Sequence, residues 1–341
     1  MRIAVVGAGA MGCLLGHGFC RSGHEVSLID LPTRVEDLLA NRELTVVSPD
    51  GLQSSVNPAL ITSDYSAAGV QDLVVLATKA HDLPAVASHI SQLANQQTSI
   101  MTIQNGIPWW YLHGLQNLFG TARINCLDPD GLLEQYIAPE QIVGCVAYPA
   151  ATVEPDGRVR HVEGLRFPVG EPDNLPRERT RIIAQVLNEA GFKSRVIEDI
   201  RSEIWLKAWG ALSINPISAL THTTMEAICT FPGTRELIAQ MMFEAQQVAE
   251  ALGATFRHTI EKRIEGARRV GQHKTSMLQD LENGLPLELD ALMLAVLELA
   301  QLTGREAPTI QTVYACVALL NENLRAGHTH AGAAADSRLP A

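Results

Sequence analysis

Short runs of consecutive apolar residues alternate with longer amphipathic stretches through the first two hundred positions. Beyond about residue 199 the amphipathic stretches continue almost alone. Residues 3–6 (Ile-Ala-Val-Val) form a brief strand-like run, 7–12 a glycine turn, and 11–21 carry helical spacing. Gly23-His24 closes that helix and leads into a second strand at 25–30, completing a βαβ unit. Residues 43–57 read as a hairpin around Pro49-Asp50-Gly51. Residues 72–77 are continuously apolar, the pattern of a parallel strand buried on both faces. A helix over 83–94 and a strand over 99–103 continue the alternation. Strand-like runs follow near 143–148, 158–162 and 165–169, then a helix at 177–190 and a strand at 194–197.

The second half carries helical periodicity at 200–220, 231–252, 260–272 and 287–302, with a further helix at 308–324 that places Pro308 in its first turn. These patterns predict an α/β N-terminal Rossmann dinucleotide-binding domain over 1–198 and an all-helical C-terminal domain over 199–325. A tail over 326–341, rich in Ala, Gly and His, is expected to be disordered; His328 and His330 read as solvated tail residues. The apolar faces of 231–252 and 287–302 are expected to pack within the domain, with a homodimer interface as the alternative.

With 341 residues, two domains are the prior expectation, and 46% hydrophobic with 18% charged residues is a globular composition. A formal charge of -11 argues against a nucleic-acid partner while leaving room for a small anionic substrate. No apolar run is long enough to cross a membrane, and the N-terminus enters a strand without a targeting pattern, so a cytoplasmic protein is expected. The six cysteines lack C-x-x-C or zinc-ligand spacing and are expected to be small buried thiols, with neither disulfides nor a structural metal.

Gly7-Ala8-Gly9-Ala10-Met11-Gly12 matches G-x-G-x-x-G in the one context that gives the motif weight, after a strand and at the start of a helix. The first glycine permits the turn, the second lets backbone approach a pyrophosphate, and the third lets helix and strand pack closely. The helix N-terminus then offers N–H groups and partial positive charge to phosphate. Asp30, 18 residues past Gly12, ends the second strand, where a carboxylate accepts from ribose hydroxyls and repels a 2′-phosphate. That favours NAD over NADP, although nearby Arg34 offers a cation to a phosphate.

Four further segments occur in order: Ala77-Thr78-Lys79-Ala80; Ile103-Gln104-Asn105-Gly106; Glu203-Ile204-Trp205-Leu206-Lys207 with Ile214-Asn215-Pro216; and Thr275-Ser276-Met277-Leu278-Gln279-Asp280 with Glu288-Leu289-Asp290. Together with the glycine loop they resemble the ketopantoate reductase (2-dehydropantoate 2-reductase) family over nearly the whole chain. The resemblance implies an oxidoreductase of pantothenate biosynthesis that reduces a 2-keto acid with NAD(P)H, NADP being the family default. It implies Lys207 as general acid, Glu288 as a catalytic carboxylate, and Asn105, Asn215 and Ser276 as substrate contacts. Lys79 and Asn105 would join the glycine loop in holding the cofactor. An ammonium at Lys207 suits the role, since it polarises a ketone and neutralises the developing alkoxide. Asp280 and Asp290 are expected to be structural.

Two positions depart from the pattern. Ala211 stands where the family has an asparagine one turn after the lysine, and His273 stands where an asparagine is common three residues before the serine. Two alternatives therefore remain: an NAD-dependent dehydrogenase of another hydroxy acid or polyol acid, and a non-catalytic dinucleotide sensor. The joint presence of Lys207, Asn105, Ser276 and Glu288 speaks against the sensor, which needs no proton donor.

Overall fold

The computed structural model describes residues 1–41 and 43–327. The expected tail from residue 328 onward, with His328 and His330, lies outside the described residues. The chain divides into two compact units, one ending at Ile204 and the other starting at Trp205.

The first unit contains, in order, β1 (Arg2–Val6), α1 (Ala10–Arg21), β2 (Glu25–Ile29), α2 (Pro32–Ala40), β3 (Leu44–Val47), β4 (Gln53–Val56), β5 (Leu60–Thr62), α3 (Tyr65–Ala68), β6 (Leu73–Leu76), α4 (Leu83–Ile90) and β7 (Ser99–Thr102). It continues with α5 (Gln116–Phe119), α6 (Leu132–Tyr136), β8 (Ile142–Cys145), β9 (Ala150–Val153), β10 (Val159–Glu163), β11 (Val169–Gly170) and α7 (Glu178–Glu189). Seven strands form one sheet in the order β11-β8-β7-β6-β1-β2-β5, parallel except for β11. Strands β6 and β7 are buried throughout and β1 is buried from Ile3 to Val6, as a sheet covered on both faces requires. The chain leaves β1 for β2 on one side and returns to β6 on the other, so a topological switch point lies at the C-terminal end of β1.

The expected hairpin is present, with Leu44 opposite Val56 and Val47 opposite Gln53. It does not join the Rossmann sheet. It belongs to a second sheet, β4-β3-β10-β9, in which β10 runs parallel to β3. All four of these strands pack against α1. The consequence is a helix with eight successive buried residues, Gly12 to Phe19, where an ordinary surface helix buries one stripe. His17 carries the seam: it is 4% exposed, and its Nε2 lies 3.0 Å from the Ser54 carbonyl on β4.

The strand expected at 194–197 is reduced to isolated bridges, Arg166 to Lys193 and Val169 to Val196. Among the described residues it pairs with 165–169, the segment that runs into the two-residue β11, with Phe167 and Val169 donating to the Lys193 and Arg195 carbonyls. Strand β5 is half-buried at the sheet edge and has no alternating signal to announce it.

A long helix, α8 (Ile200–Thr221), starts in the first unit and forms much of the second. Asp199 caps it, accepting from the Ser202 N–H at 3.0 Å and from the Ser202 hydroxyl. The second unit adds α9 (Met225–Thr230), α10 (Pro232–Ala251), α11 (Ile260–Arg268), α12 (Ser276–Glu282), α13 (Ala295–Thr303) and α14 (Pro308–Arg325). Helix α10 is central, packing on α9, α11, α13 and α14, so its apolar face is covered within the unit. The buried Glu244 on α10 accepts from the N–H groups of Thr309 and Ile310 and caps α14. Trp209 donates to the Met242 carbonyl at 2.6 Å and lies 4.5 Å from the Phe256 ring.

The helix expected over 287–302 begins later, with a π-helical turn at Asp290–Leu294 that runs into α13. Pro286 disfavours helix at the residue before it, and the Leu287 N–H is drawn to the buried Asn321 side chain at 2.9 Å. The N–H groups of Met293 and Leu294 then share the Leu289 carbonyl. Cys13, Cys145 and Cys229 are buried and Cys20 and Cys126 half-buried, whereas Cys316 is exposed on α14, against the expectation of burial. Among the described residues no helix is long and apolar enough to cross a membrane.

Burial pushes the His17 imidazole down to about 4. An unfolded chain takes up that proton near pH 6.5, so the stabilisation is complete above pH 6.5 and is lost as pH falls toward 4. Between pH 7 and pH 5 this single group should remove about 2 kcal/mol of unfolding free energy. Urea titrations of wild type and His17→Gln at both pH values check this, and an equal pH dependence in the two would refute it.

Candidate functional site

In the first unit the C-terminal ends of β1, β2, β6 and β7 carry the expected dinucleotide-binding positions. Gly7 has φ +99°, and a Cβ there would lie 2.5 Å from the Thr78 nitrogen. Only glycine lets the end of β1 touch the backbone leaving β6. A Cβ on Gly12 would lie 1.8 Å from the Gly7 carbonyl oxygen, so α1 rests directly on the turn. Gly9 differs, because a Cβ there would meet nothing within 4 Å. It is the N-cap of α1 and offers no capping side chain, and the first bond of the helix is Cys13 N–H to the Gly9 carbonyl. The N–H groups of Ala10, Met11 and Gly12 thus open on the side that Gly9 leaves clear. This fits a pyrophosphate.

Asp30 serves the loop itself. One carboxylate oxygen accepts from the Ala8 N–H at 2.5 Å and the other from the Leu31 N–H at 2.7 Å. From the opposite side Arg34 donates its Nε–H to the Ala8 carbonyl at 3.0 Å. The Ala8 peptide is therefore held by a carboxylate on its N–H and a guanidinium on its C=O, an arrangement invisible in sequence spacing. Tyr65 lies near Asp30, and burial, reinforced by that charge, lifts its phenol to about 12. Burial also lifts the Cys13 thiol to about 11 and keeps it protonated beside the loop.

Lys79 follows β6 and opens a short 3₁₀ turn at Ala80–Asp82. Asn105 follows β7 and precedes Gly106, whose φ is +84°. Gln104 ties the two loops together, donating to the Leu76 carbonyl at 2.8 Å and the Thr78 carbonyl at 3.0 Å. Gln104 escaped the sequence reading as a functional residue, although it lies inside the Ile103-Gln104-Asn105-Gly106 segment.

In the second unit Lys207 and Asn215 lie on α8. From Trp205 to Ala219 every residue of that helix is buried except Lys207, Ala211 and Asn215. Positions i, i+4 and i+8 fall along one narrow stripe, so an otherwise enclosed helix presents a lysine, a methyl group and an amide in a row. Pro216 sits inside α8, which continues unbroken to Thr221. Ser276 is the exposed first residue of α12, preceded by the N-cap Thr275, whose hydroxyl accepts from the Leu278 N–H at 3.2 Å. Lys274 braces this helix through an ion pair with Glu282 at 2.7 Å. Glu288 is half-exposed between the buried Leu287 and Leu289, immediately before the π-helical turn. Such turns recur at functional sites.

Residues 3–174 match the family described as ketopantoate reductase PanE/ApbA, and residues 199–321 match its C-terminal domain. The chain belongs to the ketopantoate reductase family. It is 45% identical to the 2-dehydropantoate 2-reductase of Mesorhizobium japonicum over 318 residues, 93% of this chain and 97% of that protein. The crystal structure of 2-dehydropantoate 2-reductase from Geobacter metallireducens GS-15 aligns with a TM-score of 0.81 at 26% identity, covering 94% of this chain and 100% of that one. A D-mandelate dehydrogenase solved with NADH and anilino(oxo)acetate shares the fold, with a TM-score of 0.81 at 20% identity over 95% of this chain and 99% of that one.

The two helix-start glycines should separate by phenotype. Gly12→Ala drives a methyl into the Gly7 carbonyl and should cost about 1–3 kcal/mol of stability. No protein atom lies within 4 Å of a Cβ on Gly9, so Gly9→Val should cost less stability than Gly12→Ala while weakening dinucleotide binding at least tenfold. Thermal melts with fluorescence titration of NADH and NADPH check both, and undiminished binding by Gly9→Val would remove the loop from the cofactor site.

Proposed function

We propose that this chain reduces ketopantoate, or a closely related 2-keto acid, to the 2-hydroxy acid with a reduced nicotinamide dinucleotide. The observation that carries this reading is the stripe on α8, where a lysine and an asparagine are the polar side chains left accessible on a helix otherwise buried from Trp205 to Ala219. A lysine and an asparagine spaced along one face of a packed helix can supply a proton donor and an amide hydrogen-bond donor to the same ligand.

Bound at the glycine loop, the dinucleotide supplies the hydride. Lys207 holds its Nζ proton toward the substrate carbonyl oxygen, polarises the ketone, and delivers that proton as negative charge develops on the oxygen. Its amine then regains a proton from water. Asn215 and Ser276 hydrogen-bond the substrate, Asn105 contacts substrate and cofactor, and Glu288 orients the centre. Lys79 and the loop Gly7-Ala8-Gly9-Ala10-Met11-Gly12 hold the cofactor. Residues 1–198 serve as the dinucleotide-binding domain and 199–325 as the substrate domain.

For the cofactor we favour NAD(H). Asp30 presents negative charge beside Ala8, where a 2′-phosphate would be repelled, while Arg34 spends its Nε–H on the Ala8 carbonyl. A second reading, an NAD-dependent dehydrogenase of another 2-hydroxy acid, draws support from Asp30 and from Ala211, which offers the substrate no hydrogen bond.

Ketopantoate-dependent oxidation of NADH and NADPH, run side by side, tests the reading. Lys207→Ala should lower turnover by about 10²–10⁴-fold with dinucleotide affinity almost unchanged, and near-normal turnover would exclude it as the acid. Asp30→Ala should narrow the preference for NADH. The ratio of the two kcat/KM values is the readout, since loosening of the Ala8 peptide affects both cofactors alike. An unchanged ratio would remove Asp30 from cofactor choice.

A further inference from the structure

Gly210 occupies the interior of α8, where glycine destabilises a helix relative to alanine. It is buried, and what buries it is an arginine. A Cβ built on Gly210 would lie 2.4 Å from Nη2 of Arg263 and 2.9 Å from both its Cζ and its Nε. The guanidinium of Arg263, from α11, is thus seated on bare helix backbone at a position that any side chain would deny it. Gly210 is one turn beyond Lys207 and adjacent in sequence to Ala211, so this cation flanks the accessible stripe. Arg263 is itself only half-buried.

We infer that Arg263 anchors the carboxylate of the substrate and that Gly210 is retained to seat it. The inference rests on the proposed reduction of a 2-keto acid. In such a compound the carboxylate is bonded directly to the ketone carbon. A group that holds the carboxylate must therefore stand close to the one that protonates the ketone oxygen, with a charge opposite to the carboxylate. A planar guanidinium meets a carboxylate through two parallel N–H···O bonds, which fixes the plane of the keto acid as well as its position. Ala211, one turn beyond Lys207, adds only a methyl to the stripe and no charge or hydrogen-bonding group. The hydroxyl of Ser276 remains a neutral partner for the same ligand, and Arg263 supplies the charge that no other group on the stripe has available once Lys207 is committed to the ketone.

The test is steady-state reduction of ketopantoate by the intact protein, with cofactor saturating, for wild type, Arg263→Ala, Arg263→Lys and Gly210→Ala. Arg263→Ala should raise KM by about 10- to 100-fold with kcat changed much less, the loss expected for a charge-assisted pair. Arg263→Lys should recover only part, because the fork is gone. Gly210→Ala keeps the arginine but displaces its guanidinium, and should raise KM in the same direction. Added guanidinium ion should lower the KM of Arg263→Ala and leave wild type unchanged, a response that a merely structural arginine does not give. A wild-type KM in Arg263→Ala, or a raised KM with no rescue, overturns the assignment while leaving the reductase reading intact. No turnover of any keto acid by wild type overturns the reductase reading and the assignment with it.

Discussion

The contact between Gly7 and its neighbours is the constraint around which the first unit is built. The end of β1 lies against the Ala77–Thr78 backbone, and α1 lies against the Gly7 carbonyl, each at a separation that excludes a side chain. A turn wedged from both sides cannot relax, so the first turn of α1 keeps its direction without a capping residue. Asp30 and Arg34 then hold the Ala8 peptide through both of its polar groups. The second sheet completes the confinement by covering α1 where solvent would otherwise be. A loop preorganised in this way binds phosphate without the entropic cost of ordering its N–H groups.

Helix α8 is governed by the opposite economy. It contains Gly210, Pro216 and several β-branched residues, none of which favours a helix. Its stability comes from burial, with Trp205, Trp209, Leu212 and Ala219 fully enclosed. A helix held by packing can carry residues that propensity would reject, and it keeps them in fixed positions. The Lys207 backbone is consequently rigid. On the proposed reading proton transfer needs that rigidity, because an ammonium displaced by an ångström loses most of its effect.

The βαβ opening was legible because three independent signals coincide there: an apolar run, glycines at set spacing and a carboxylate at the next strand end. Most of the helical half was legible from periodicity alone, the short α9 and α12 excepted. The second sheet was not, because the partner of β3 along its other edge is β10, more than a hundred residues away, and the short runs at both places fit the Rossmann sheet equally well. The π-helical turn after Glu288 escaped for a different reason. The Asn321 side chain that detains the Leu287 N–H is a tertiary partner, and periodicity registers only residues on one element. At the site, sequence marked Asp30 by its distance from the glycines. Which groups its carboxylate accepts from depends on the path of the Ala8 backbone, a property of the folded loop. Arg263 lacked any signal, since a lone arginine on a polar helix reads as a solvated charge until the glycine beneath it is seen.

Specificity follows from which polar groups a ligand must satisfy. A site that hydrogen-bonds a substrate hydroxyl rejects analogues lacking it by large factors, because its own groups are then left unpaired. On the proposed reading Ala211 offers the substrate a methyl, and an analogue without a hydroxyl there leaves nothing unsatisfied. The penalty for the wrong keto acid at that position is thereby reduced to differences in packing, which discriminate by factors of about ten to a few hundred. Recognition on the proposed reading thus shifts from the variable end of the substrate to the invariant keto-acid head. There Lys207 meets the ketone and Arg263 the carboxylate, and the groups that read the head are also the groups that the chemistry requires.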